Sequence, residues 1–180
     1  MKVADENLII ELRMEELRVV ARYCVESAEE VLALFEQEHP GDRRPRAAVE
    51  AAWTFADGAN RTKLQRVTAL DAHRAAKDAG TEAAEHAAHA AGDAAAAAYL
   101  HPLAKATQVG HILRAAAHAA RAIELSSGGD PDVGDQYIER VRQRATPALV
   151  DVLTRYPLAP TGKSRVAQLM KNLDTALRSR

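Results

Sequence analysis

An all-α fold is predicted: a single-domain bundle of about six to eight helices with an alanine-rich central core. Three features of the sequence predict it. Apolar residues recur at steps of three and four along almost the whole chain. No segment shows the sustained apolar–polar alternation of a half-buried strand, and β-branched residues are sparse and scattered. Glycine and proline fall at intervals that cut the periodic stretches into helix-sized pieces. The 180 residues suit one domain able to bury a core without disulfide or metal staples.

The first helix is predicted over 11–38. Its apolar stripe is Leu17, Val20, Ala21, Cys24, Ala28, Val31, Leu32 and Phe35. Pro40 ends it, because proline disfavours helical geometry in the residue before it. The second helix should open at Pro45, where a missing amide donor costs nothing, and close on Gly58 as a left-handed cap. Ala48, Ala52 and Phe55 should face inward, with Trp53 beside them. A third helix over 62–79 begins its inward side with Leu64, Val67 and Leu70. Thr81 caps a fourth, nearly all alanine to Ala98, with Glu82 and Glu85 in a first turn that favours acids.

A fifth helix is expected from Pro102 to Leu125, followed by a surface linker near 126–134. Helices over 135–144 and from Pro147 to Arg155 come next, then an extended connector over 156–160. An amphipathic helix over 163–178 ends the chain. Alanine has the best helix propensity but buries little area, so its helices must approach closely to gain dispersion energy.

The formal net charge of −1 gives no global field for nucleic acid or an anionic membrane. No apolar run approaches the roughly 18 residues that span a bilayer. Met1 to Glu6 lack the basic start and apolar stretch of a signal peptide, so the expected location is the cytoplasm. Cys24, the single cysteine, lies on an apolar face and reads as a buried structural thiol.

The segment Asp42-Arg43-Arg44-Pro45-Arg46-Ala47-Ala48-Val49-Glu50-Ala51 carries the pattern Asp-x-Arg-Pro-Arg-x-Ala-x-Glu-Ala. With Ala69 to Lys77, Ala90 to Asp93 and Tyr99 to Ile112, it resembles the bacterial "putative immunity protein" family, Imm-5-like, in an actinobacterial branch. The resemblance implies an all-α fold and a toxin-neutralising role. Asp93 departs from the family pattern, which carries histidine after the glycine.

Four groups of residues are candidates for chemistry. Asp42, Arg44 and Arg46 stand at the entrance of the second helix, where two guanidinium groups suit a carboxylate or phosphate; equally, Asp42 caps the helix and the arginines pair with acids of the first. His101, Gln108 and His111 lie around the predicted start of the fifth helix, His111 sharing a face with Gln108. Glu82, His86, His89 and Asp93 form one stripe on the fourth helix. A straight helix presents only two ligands well, so this reads as a polar face and no metal is assigned. His73 sits at the edge of the third helix's apolar side and Trp53 reads as core. No cofactor motif occurs; Gly162-Lys163-Ser164 lacks the upstream glycine and strand of a phosphate loop.

The expectation is therefore an immunity-type protein that neutralises a cognate toxin or sequesters a ligand. The alternative is a small-molecule binder or enzyme of bacterial secondary metabolism. It would use His73, His101 and His111 for acid–base chemistry, with Asp42, Arg44, Arg46, Gln108 and Trp53 as ligand contacts. Neither nucleic acid nor membrane is an expected partner, and the oligomeric state, homodimer included, is left open.

Overall fold

The computed structural model describes residues 8–180. Residues 1–7, on which the reading of an absent leader rests, lie outside the described residues. Among the described residues eight α-helices follow one another: α1 Met14–Glu38, α2 Arg44–Ala56, α3 Lys63–Asp78, α4 Glu82–Ala96, α5 Gly110–Ser126, α6 Pro131–Arg144, α7 Pro147–Thr154 and α8 Arg165–Arg178. Short 3-10 turns occupy Ala97–Tyr99 and Ala106–Val109. No helix among the described residues is long and apolar enough to cross a membrane.

The bundle is organised around α4, which packs against α1, α2, α3 and α5. Ala84, Ala87, Ala88, Ala90, Ala91, Ala94 and Ala95 are all buried on it. The bulk that alanine cannot supply comes from α1, α5, α7 and α8. Val20, Leu32, Phe35, Ile112, Leu113, Leu149, Leu153, Leu169, Leu173 and Leu177 are among their buried residues. The stripe expected on α1 is buried from Leu17 to Phe35. Thr62 and Thr81 cap α3 and α4 through bonds from Leu64 N and Ala84 N. Gly58 lies just past α2 with φ 116°, a left-handed conformation that suits glycine.

Three expectations are corrected. The fifth helix starts at Gly110, not Pro102. Residues 102–104 run alongside the start of the described chain instead: Ile10 N donates to Pro102 O at 2.8 Å, and Ala104 N to Leu8 O at 3.0 Å. These non-local bonds hold the backbone extended where helical spacing had suggested a first turn. The sixth helix starts inside the expected linker, at Pro131. Asp130 caps it by accepting from Asp132 N at 3.0 Å, so Asp-Pro marks a helix entrance and not a connector.

The third correction concerns which face of α3 is buried. Leu64, Val67 and Leu70 are 49%, 51% and 52% exposed. The inward face is Gln65, Thr68, Ala69, Ala72, Ala75 and Ala76. Gln65 is satisfied there, donating to Ala51 O at 3.1 Å and accepting from Thr62 N at 3.0 Å. Small side chains let α3 approach α2 and α4, and the larger apolar residues turn outward.

Candidate functional site

The densest group of titratable side chains lies along the seam where α4 meets α3 and α5. The spacing of three and four places His86, His89 and Asp93 on one face of α4. From one side α3 contributes His73; from the other α5 contributes Arg114 and His118. Gly92 makes the close approach of α3 possible: a Cβ there would lie 2.7 Å from His73 Nε2.

Asp93 anchors the seam and is 2% exposed. Arg114 Nε donates to both of its oxygens at 3.2 Å, and Nη2 adds a third bond at 3.2 Å. His73 Nε2 is 3.6 Å from Asp93 Oδ1, and His118 Nε2 is 3.6 Å from Asp93 Oδ2. The imidazoles then meet in pairs. His73 Nδ1 faces His89 Nδ1 at 2.8 Å, and His86 Nδ1 faces His118 Nδ1 at 2.8 Å. The pairs adjoin, with the His89 and His118 ring centroids 5.1 Å apart.

Burial dominates the electrostatics. Loss of hydration lowers the pKa of His73, His86 and His89, and that of His118 well below its ordinary value. The Asp93 charge opposes this at His73 and His89. The result is a row of imidazoles held toward the neutral form beside one buried, arginine-bound carboxylate. Such a row suits proton exchange, hydrogen bonding or coordination of a cation. Among the described residues, no group of three or more His, Cys, Asp or Glu side chains is already placed to hold a metal ion.

The family profile described as "Imm-5 like putative immunity protein" matches residues 11–148. The chain belongs to this family. No curated protein and no solved structure matches it significantly. The Imm-5-like region contains α1 to α6 and the start of α7, so it includes the whole histidine seam; α8 lies beyond it.

Within the Imm-5-like region the arginine motif is occupied by ion pairs. Arg44 bonds Asp42, with Nη2 to Oδ2 at 2.6 Å, and reaches Asp78 at 2.7 Å. These bonds to Arg44 hold the Asp42 carboxyl below its usual pKa range. Asp42 also accepts from Arg44 N at 3.1 Å, at the entrance of α2. Arg46 clasps Glu36 of α1, with Nε to Oε2 at 2.8 Å. No hydrogen bond joins Arg44 or Arg46 to His73, His101 or His111. Trp53 is half-buried beneath Arg22, whose guanidinium lies 5.2 Å from the ring centroid.

The remaining candidates sit at the far end of α4 or behind it. Gln108 Oε1 accepts from His101 N at 2.8 Å, and Tyr156 donates to His101 O at 2.9 Å; both bonds tie a loop together. His111 lies at the α1–α5 contact, where its carbonyl accepts from Cys24 Sγ at 3.4 Å. Burial raises the pKa of the fully buried Cys24 thiol, as suits a structural cysteine.

Sequence reasoning singled out the α4 stripe and His73 but missed the partners on α5. Arg114 and His118 are four apart on α5, opposite the alanine face that packs inward. That polar stripe, matched to His86, His89 and Asp93, was the available signal.

Proposed function

We propose that this chain is an immunity protein that binds and neutralises a protein toxin, and that the exposed side of α3 is its docking face. Family membership supports the class of function. The observation that carries the docking face is the outward row Leu64, Val67 and Leu70, three half-exposed apolar side chains one turn apart. A neighbouring groove of about 180 Å³ continues the row past Leu70 to Arg66, Tyr99 and His73. Aligned apolar residues on an otherwise polar helix surface fit a partner better than water. The rim is basic: Lys63, Arg66, Arg74 and Lys77 share α3 with Asp71 and Asp78, and those acids are engaged by Arg74 and Arg44. The complementary partner surface is therefore acidic around an apolar centre.

The motif from Tyr99 to Ile112 supports an actinobacterial origin, and the cytoplasm is the compartment in which such a protein would meet an incoming toxin. The pocket reading stands second, because Arg44 and Arg46 are already engaged by Asp42, Asp78 and Glu36 and neither is an open anchor for a substrate.

The test is co-expression with toxin-like genes adjacent to this one. The wild-type chain should restore growth and co-purify with the toxin. Val67→Asp with Leu70→Asp should abolish both while leaving the melting temperature unchanged. Failure of the wild type to bind or protect against any adjacent product overturns the proposal. Protection that survives the double substitution overturns the α3 assignment.

A further inference from the structure

We propose that the facing imidazoles of His73 and His89 form a binding site for a divalent transition-metal ion. The argument starts from where each ring points its two nitrogens. In both pairs the Nδ1 atoms face one another at 2.8 Å. On the opposite edge, three of the four rings turn Nε2 toward a carboxylate. His73 and His118 turn it to Asp93 at 3.6 Å, and His89 turns it to Glu85 at 3.7 Å. A carboxylate draws the ring N–H to its own side. At 3.6–3.7 Å the carboxylate charge favours the tautomer with its hydrogen on Nε2, which leaves a lone pair on Nδ1. For His73 and His89, both backed in this way, two lone pairs are then aimed at each other.

Two lone pairs at that separation repel unless a cation or a hydrogen lies between them. A hydrogen there has a cost. Either one ring gives up its carboxylate-facing N–H, or one ring becomes an imidazolium. A metal ion meets neither cost. It takes both Nδ1 lone pairs while each ring keeps its N–H toward Asp93 or Glu85, the arrangement in which histidine ligands are usually oriented by an outer carboxylate. Loading neutral rings requires only that a hydrogen move from Nδ1 to Nε2 within the ring, so no co-reactant is involved.

The geometry asks for a small adjustment. Metal–nitrogen bonds of about 2.0–2.1 Å at a tetrahedral angle separate the nitrogens by about 3.3 Å, so the pair opens by about half an ångström. The rings can do this because they lie at the seam's outer edge: the His73 and His89 side chains are 32% and 25% exposed. Two protein nitrogens per ion leave the other coordination positions to water, consistent with the absence of any three converging ligands among the described residues. Nitrogen-only first ligands with open positions select the imidazole-preferring ions Zn²⁺, Ni²⁺, Co²⁺ and Cu²⁺ over Mg²⁺ and Ca²⁺.

The experiment uses the full chain, stripped with chelator and titrated at pH 7.5 with ZnCl₂, NiCl₂ and, as the negative probe, MgCl₂. Zinc and nickel should bind with measurable heat and raise the melting temperature, while magnesium does neither. His89→Gln with His118→Gln should abolish the effect, and His39→Gln, remote from the seam, should leave it intact. No zinc or nickel binding, or binding that survives the double substitution, overturns the proposal. If the double variant does not fold, ¹⁵N spectra of the wild-type histidines decide. Zinc should shift the Nδ1 resonances of the seam rings selectively, and unchanged Nδ1 resonances at saturating zinc overturn the site.

Discussion

Removing Arg165 should cost more stability than any other single change at the surface of this protein. Its guanidinium reaches from α8 into the bundle and holds Glu124 of α5, with Nε at 2.9 Å and Nη2 at 2.6 Å from Oε2. Glu124 is fully buried at 0% exposure. Among the described residues its only other cation is Arg121, at 3.0 Å from Oε1. Arg165 also donates to Pro131 O and pairs with Asp135, both at 3.0 Å, so one side chain fastens α8 to α5 and α6. Taking away one partner of a buried ion pair typically costs about 3–5 kcal/mol, because the remaining charge stays desolvated. Arg121 keeps part of the compensation, so Arg165→Met should lose about 2–4 kcal/mol. With urea slopes of about 1–3 kcal/mol per molar, the midpoint falls by about 0.7–4 M at unchanged slope. Adding Glu124→Gln should recover much of the loss, because a neutral amide replaces the stranded carboxylate. Urea unfolding followed by circular dichroism measures both. A loss below about 1 kcal/mol, or a double variant as unstable as the sum of its parts, would refute the reasoning.

Other substitutions test the same framework. Gly134→Ala should destabilise although alanine is the better helix former, because its Cβ would lie 2.0 Å from Glu124 Oε2, which Arg165 holds in place; about 1–3 kcal/mol of overpacking should appear as a lower melting temperature. Gly92→Ala sets a propensity gain of about 1 kcal/mol against displacement of the His73 ring, for a net loss of about 0–2 kcal/mol and altered His73 and His89 resonances. Stability should also fall in acid through Glu16, whose carboxyl is brought down to about 2, chiefly by its hydrogen bond from Arg155. A folded-state pKa below the unfolded one gives stabilisation that is complete above about pH 4.5 and is lost as pH falls toward 2, here about 1–3 kcal/mol. Arg155→Gln should remove most of that slope in urea titrations between those pH values.

The helices were legible because glycine, proline and capping residues are local signals. Thr62, Thr81, Pro45 and Gly58 mark their boundaries through backbone geometry that neighbours hardly alter. What failed was non-local. Nothing near Pro102 announces that Leu8 and Ile10 will take its segment into extended pairing. On α3 the apolar pattern was present on two faces at once, leucine and valine on one and alanine on the other. Periodicity cannot say which is buried when the true core face is made of the smallest side chain. The basic residues at the end of the chain meet the same limit. Sequence spacing alone does not name the partners of Arg165, Arg178 and Arg180. In the structure Arg165 binds Glu124, Arg178 binds Asp174 and the carbonyls of Tyr156 and Pro157, and Arg180 reaches Ala145 O. Their length lets them span to partners more than twenty residues away.

The same alanine packing explains why the histidines meet. A helix lined with alanine brings its neighbours in close, so side chains flanking the contact are pushed sideways into one another instead of toward the axis. On α4 the flanking positions are His86, His89 and Asp93, and the neighbours answer with His73 and His118. Small side chains at the contact and large polar ones at its edge are then two parts of one arrangement. Gly92 is the extreme case, since even a methyl group there would occupy the space of the His73 ring. It follows that enlarging the core should act on the seam before it acts on the fold. Ala88→Val, at a fully buried position on α4, should widen the helix spacing at a cost of about 1–3 kcal/mol. It should weaken zinc binding at the seam while the helical circular dichroism stays native. Full zinc affinity in a folded Ala88→Val variant would mean that the imidazole pairs do not depend on the close approach of α3 and α5 to α4.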